Sequence, residues 1–210
     1  MNTFTPETFF DLIDFPFKDL FLGIENVWEV LPKMDEFIHK QFKNGEIKGN
    51  YKENIYIGEG TMVHETALIV GPALIGKNVT IAHGSYIRGG CIIGDNINVG
   101  HGSEIKHTVL LNNSKVPHLN YVCDSIVGNK VNFGVGAVVA NYRLDKQPIR
   151  IKMNGETIET GLRKLGAILG DNSSIGANAV LNPGTILGKG AIVYPLTSVT
   201  GVYEHEAVIR

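Results

Sequence analysis

Arg88 and Lys106 stand eighteen residues apart, and His118 follows twelve residues after Lys106. An arginine offers a planar donor fork and a lysine a point charge, and both suit a phosphate. Histidine changes charge near neutral pH and serves as a general base. Tyr121, Asn132, Asn141 and Tyr142 add polar groups after it. Together these residue types could form a site for a phosphate-bearing small molecule. Each also has a plainer role: two cations splayed into solvent, a structural histidine, polar residues on a surface. The spacing argues for the site, because both interruptions of the chain's repeat supply polar residues to the same stretch.

That repeat must position them. Counting in sixes from Ile57 reaches Val63, Ile69, Ile75, Ile81, Ile87, Ile93, Val99, Ile105 and Leu111. The pattern returns at Val127, Phe133 and Val139, and again from Leu169 through Ile175, Leu181, Leu187 and Val193 to Val199. A period of six is not that of an amphipathic helix, whose faces recur every three to four residues. It suits a short strand and a tight corner, with Gly or Asn accepting the corner dihedrals. Three such units close a triangular coil of eighteen residues, and coils stack like parallel strands, ~4.8 Å apart. The fold class is all-β, a parallel β-helix. On it, Arg88 and Lys106 should stack on one face a single coil apart. Two cations that close repel unless an anion joins them.

The pattern fails over "NNSKVPHLNY", residues 112–121, and over 140–168. The first interruption holds His118, and an irregular segment there would aim its imidazole out of the flat strand face. The second alternates on either side of Asn154-Gly155, a hairpin signal. Ile149, Ile151 and Met153 share one face; Arg150 and Lys152 share the other, either a solvated surface or a basic finger over a site. Residues 1–50 form a Phe-rich arm in which Val27, Leu31, Met34, Ile38 and Phe42 fall at helical spacing. It is expected to pack on the β-helix, residues 51–210, or on a neighbouring subunit.

Net charge is −2 with a pI near 6.4, so there is no basic excess of the kind nucleic acid attracts. No apolar run spans a bilayer. Glu7, Asp11 and Asp14 among the first apolar residues argue against a secretory signal. Cys91 and Cys123 have no metal or redox spacing. A cytoplasmic protein with reduced thiols is expected.

"SYIRGG", "SEIK", "SKVPHLNYVCDS", "VNFGVGAVVANY" and "LGDNSSIGANAVLNPGTILG" resemble the acetyltransferase domain of the bifunctional enzymes that make UDP-N-acetylglucosamine. "RLDKQPIRIKMNGETIETGLRKLGAILGD" is more similar to the archaeal sugar-1-phosphate nucleotidylyltransferase/acetyltransferases. The resemblance spans roughly residues 55–205. It implies a left-handed β-helix, although the general crossover rule favours the other hand. It also implies acetyl transfer from acetyl-CoA to glucosamine 1-phosphate. His118 would be the base, and Glu104 would orient it or hold its charge. Arg88 and Lys106 would bind the sugar phosphate, or the nucleotide of a UDP-linked sugar. Tyr121, Asn132, Asn141 and Tyr142 would place the sugar, with Arg150 keeping the charge of a family lysine. Val135, Ala177 and Pro195 would line the acetyl-CoA groove. The family's site lies between subunits of a homotrimer.

The chain departs from the family at Val135 (Ala), Ala137 (Thr), Gln147 (Lys) and Cys123 (Gly). Nothing before residue 50 has the family's Gly-rich nucleotide loop, so uridylyl transfer is not expected. The alternatives are another amino sugar, free or nucleotide-linked, and a non-catalytic β-helix docking a separate nucleotidylyltransferase. His83 and His101, with His107 near them, raise a zinc hydratase. The His-x4-His pair of hexapeptide-repeat carbonic anhydrases is missing, so no metal is expected and the histidines are read as exposed corner residues.

Overall fold

An aliphatic residue at every sixth position is buried without a break only if the chain winds so that all of them point to one axis. The computed structural model describes residues 3–43, 45, 51–52, 54–153 and 155–210 and shows that winding. Three parallel sheets face one another around a core that runs from Ile75 through Ile87, Val99, Val122 and Leu169 to Ile209. The first face runs from Ile55–Ile57 to Val202–Tyr203. The second runs from Met62–Val63 to Val208–Ile209, and the third from Leu68–Val70 to Ser198–Val199. The antiparallel strand Tyr51–Lys52 pairs with Ile55–Ile57 and covers that open edge. Corners take left-handed dihedrals at Asn78, Asn96 and Asn113, among others, residues whose short polar side chains tolerate them.

The first interruption is not a break. Lys115–His118 and Tyr121–Cys123 are ladder strands, paired in parallel with the coils before and after. Leu110, not Leu111, is the inward residue of its coil; it pairs with Ile93, and Leu111 faces outward. The reason lies at two corners. Three residues separate Arg88 from Ile92, but only His107 and Thr108 separate Lys106 from Val109. Only Asp124 and Ser125 separate Cys123 from Ile126. Each short corner drops one residue, and His107 (φ 45°) and Asp124 (φ 48°) absorb the tighter turn. The second interruption is a true insertion. Its hairpin pairs Arg150–Met153 with Glu156–Glu159; Asn154 lies outside the described residues.

The arm covers the outside of the first face. Phe9, Phe10, Phe15, Phe21 and Trp28 pack with the outward residues Leu74, Ile92, Val109, Leu111, Ile126, Ile168 and Ile186. It is less helical than its spacing suggests: a 3-10 turn over Val27–Lys33, holding Pro32, runs into one α-helix, Met34–Lys43. Val27, Leu31, Met34 and Ile38 are buried, as that spacing requires. Polar straps fix the arm's path. The Asp171 carboxylate accepts from the Asp11 and Asn129 backbone N–H groups, each at 2.7 Å. Asn129 Nδ2 donates to the Asp11 carbonyl at 2.8 Å, and Asn112 Nδ2 to that of Asp14 at 2.9 Å.

With one shared cluster, arm and coil should unfold together. Ile38→Val removes one buried methylene and is expected to cost about 1 kcal/mol. Urea unfolding followed by Trp28 fluorescence and far-UV CD should show one transition, shifted equally in both; separate midpoints would mean that the arm folds independently.

Candidate active site

Two rows of side chains matter, at the two ends of the third-face strands. One row runs down the corner between the second and third faces. Ladder register places His83, His101, His118, Val135, Ala177 and Pro195 at equivalent positions of successive coils. All but the half-buried Ala177 are exposed at the corner, Val135 by 46%. His118 ends a regular strand rather than leaving a bulge. The His118 N–H donates to Asn120 Oδ1 at 3.0 Å. Asn120 is buried and donates from Nδ2 to the carbonyls of Gly134 (2.7 Å) and Ala137 (3.3 Å). This asparagine ties the His118 corner to the next coil, a role that sequence reading missed.

The second row lies on the third face. Lys106 pairs in register with Arg88, so the expected stack of cations is present. The anions that join it come from the chain itself. Arg88 Nη1 meets Glu104 Oε1 at 2.6 Å, and its guanidinium lies 5.5 Å from the centre of the Tyr86 ring. Lys106 Nζ is 3.8 Å from Asp124 Oδ2. Glu104 pairs in register with Tyr121, near the His118 end of the strands, and its carboxylate holds Arg88. Tyr121 adjoins Cys123. That thiol raises the phenol's pKa well above its ordinary value, and burial pushes the thiol itself up to about 11.

Asp124 is the second residue that sequence reading missed. Its side chain is only 8% exposed. It accepts from His107 Nδ1 at 3.1 Å and from Asn141 Nδ2. Burial pushes its pKa up, but the hydrogen bonds from His107 and Asn141 and the charge of Lys106 outweigh it and leave it lowered. The signal was in the spacing: His107 and Asp124 are seventeen residues apart, one shortened coil.

The remaining candidates lie apart from these rows. Asn132 is exposed on the second face, between Lys115 and Ser174. Tyr142 lines an open hollow with Arg143, Leu144, Asn182, Pro183 and Thr200. Arg150 Nε pairs with Glu159 Oε1 at 2.8 Å. The apolar face of its hairpin, Ile149 and Ile151, belongs to the cluster under the arm. A single chain therefore gathers Arg88, Glu104, Lys106, Tyr121 and Asn141 along one face. It sets His118 at the far end of a strand about 10 Å long.

The His118 corner is sterically tight. A Cβ on Gly100 would overlap the carbonyl of Pro117, the residue before His118. Gly100→Ala should push that strand outward and displace the imidazole. If His118 acts on a bound substrate, an ångström of misplacement costs on the order of 10²-fold in rate, and at least a tenfold loss in kcat is expected from a protein with unchanged CD.

Residues 69–159 match the family model described as the GMPPB C-terminal domain. A Methanococcus maripaludis protein named bifunctional protein GlmU is 36% identical over 174 residues, covering 81% of this chain and 42% of that protein. A Sulfurisphaera tokodaii bifunctional sugar-1-phosphate nucleotidylyltransferase/acetyltransferase is 41% identical over 90 residues, 43% of this chain and 22% of that protein. The chain spans less than half the length of these two curated relatives. The putative acetyltransferase YaiX of Escherichia coli is 33% identical over 205 residues, covering 86% of this chain and 87% of YaiX. The chain belongs to the hexapeptide-repeat acetyltransferase family. Its coil is accordingly the left-handed parallel β-helix of such acyltransferases. Among the described residues, no group of histidine, cysteine and carboxylate side chains could hold a metal ion, and no helix is long and apolar enough to cross a membrane.

Proposed function

We propose that this chain transfers acetyl from acetyl-CoA to the amine of an amino sugar 1-phosphate, with glucosamine 1-phosphate as the first acceptor to test. In this reading it serves UDP-N-acetylglucosamine synthesis. One observation carries the proposal: His118 stands in the same corner column as Val135, Ala177 and Pro195, at the end of the face that bears Arg88, Lys106 and Tyr121. A thioester laid along the column from the Pro195 side reaches His118, and a phosphorylated sugar on the third face reaches it from the strand.

The amine nitrogen attacks the thioester carbonyl while His118 takes its proton. The carbon–sulfur bond then breaks, and the departing thiolate is protonated to free coenzyme A. Arg88 and Lys106 bind the phosphate after exchanging part of their contact with Glu104 and Asp124. The first face is already covered by the arm, whereas Met62, Leu68, Val70, Val180, Ile192 and Val208 remain exposed on the second and third. Those two faces suit a homotrimer in which a neighbour closes the site over the corner column.

Thiol release is the test, with acetyl-CoA and glucosamine 1-phosphate, galactosamine 1-phosphate or UDP-glucosamine. Release with a sugar 1-phosphate supports the reading. No release with any acceptor, from a folded trimer, favours the non-catalytic partner of a separate nucleotidylyltransferase.

A further inference from the structure

The residue after His118 holds a backbone conformation that its type disfavours. At the second-to-third corner successive coils turn through one left-handed residue each: Gly84, Gly102, Leu119, Gly136, Asn178 and Leu196, with φ between 51° and 69°. They stack in register. The N–H groups of Gly102, Leu119, Gly136, Asn178 and Leu196 donate to the carbonyls of His83, His101, His118, Val135 and Ala177, one coil earlier, at 2.9–3.1 Å. Glycine takes this conformation freely and asparagine tolerates it, whereas a leucine there is strained. Leu119 is nonetheless 57% exposed, so burial does little to offset that strain.

The direction of its side chain is informative. A Cβ on Gly102 would come within 2.7 Å of Leu119 Cδ2, so the leucine lies over the coil before its own. Asn178 lies over Gly136 in the same way. A side chain in this column therefore covers the corner one coil earlier. Gly136 has none, which leaves the His118 corner uncovered. Gly102 has none either, and among the described residues a Cβ on Gly84 would meet nothing nearer than the Gly102 nitrogen at 4.0 Å. The corner is thus open at His118, closed by Leu119 at Gly102, and open again at Gly84. Beside that second opening the rings of His83 and His101 stack flat, 6° from parallel.

A thioester that reaches His118 from the Pro195 side points its alkyl end along the corner toward Gly102. An acetyl methyl extends only about 1.5 Å past the carbonyl carbon, short of the next coil at ~4.8 Å. Each further carbon runs toward the Leu119 side chain. Resting on the proposed acyl transfer, we infer that Leu119 is a specificity-determining residue: it closes the corner one coil beyond His118 and limits the donor to a short acyl group. Strain held at an exposed position then has a use, as it does at other functional sites. An exposed leucine could equally serve as an apolar contact for a neighbouring subunit, and truncation separates the two roles.

Calorimetric titration of the intact protein with acetyl-CoA and butyryl-CoA tests the stop without turnover. One methylene is worth about 10–200-fold in a fitted apolar pocket, so acetyl-CoA should bind at least tenfold tighter than butyryl-CoA. Leu119→Ala and Leu119→Gly should bring the two within about threefold by tightening butyryl-CoA. The glycine variant also relieves the strain, and CD and sizing check fold and assembly in both. Equal binding by the natural protein, discrimination that survives in both variants, or discrimination lost only together with a change in oligomeric size overturns the inference. Thiol release tells its failure from that of the proposed function. Acetyl transfer with butyryl-CoA still excluded in both variants sinks the stop and leaves the function. Binding equalised by truncation, without transfer to any acceptor, does the reverse.

Discussion

His118→Ala should lower kcat for thiol release by about 10²–10⁴, the usual worth of a positioned base. An amine that keeps its proton has no lone pair for the thioester, and as it attacks it must shed a proton to something within reach. The KM for acetyl-CoA should change little, because Val135, Ala177 and Pro195 are separate coils of the column and do not depend on the imidazole. The fold should also persist: His118 is exposed, and its corner is held by Asn120 through backbone bonds. His107→Ala is the sharp control. Among the described residues, His107 is the histidine hydrogen-bonded to a carboxylate, Asp124, and is the better-oriented base on geometry alone. It sits at the third-to-first corner, a full strand from the column. A rate retained in His118→Ala and lost in a folded His107→Ala would move the chemistry to that corner.

The sequence made the solenoid legible because a six-residue period admits few other structures, and the stacking of Arg88 on Lys106 followed from the period alone. It misled where the period slipped. Leu111 and Leu110 are both leucines, so a lost corner residue left an aliphatic side chain at the old position and hid the slip. The apparent gap then fell at 112–121, one corner downstream of its cause at His107. The same blindness concealed Asp124. A coil of eighteen residues would set it on Lys106; with seventeen, Lys106 pairs with Cys123, and Asp124 turns into the corner beside His107 while still reaching Lys106. Arg150 shows another limit. Alternation correctly put Ile149 and Ile151 on one face of a hairpin, but nothing local says which surface that face covers. It packs on the outside of the first face, against Gly184 and the strand Val202–Tyr203, more than thirty residues further on.

Asp124→Ala should be the most destabilising substitution in the site. Removing one partner of a buried ion pair costs ~3–5 kcal/mol, because the other charge is left in a poorly hydrated place. Here the figure should be lower, about 2–3 kcal/mol, since the Lys106 and His107 side chains keep 26% and 27% of their exposure and are partly rehydrated. Asn141 also loses its acceptor. The pH dependence has a definite sign. The folded pKa of Asp124 lies below its ordinary 3.8. Its contribution is therefore complete above the unfolded value and fades as pH falls below about 4 toward the folded one. Urea midpoints measured from pH 7 to pH 3 should converge for the natural protein and Asp124→Asn at the acid end and diverge above it. Function should follow, because Lys106 and Asn141 share this anchor. In Asp124→Asn the acceptor KM should rise on the order of tenfold while kcat changes far less, since the proton is taken at the other end of the strand. A parallel fall in kcat with KM unchanged would show instead that the His107–Asp124 pair takes part in the chemical step.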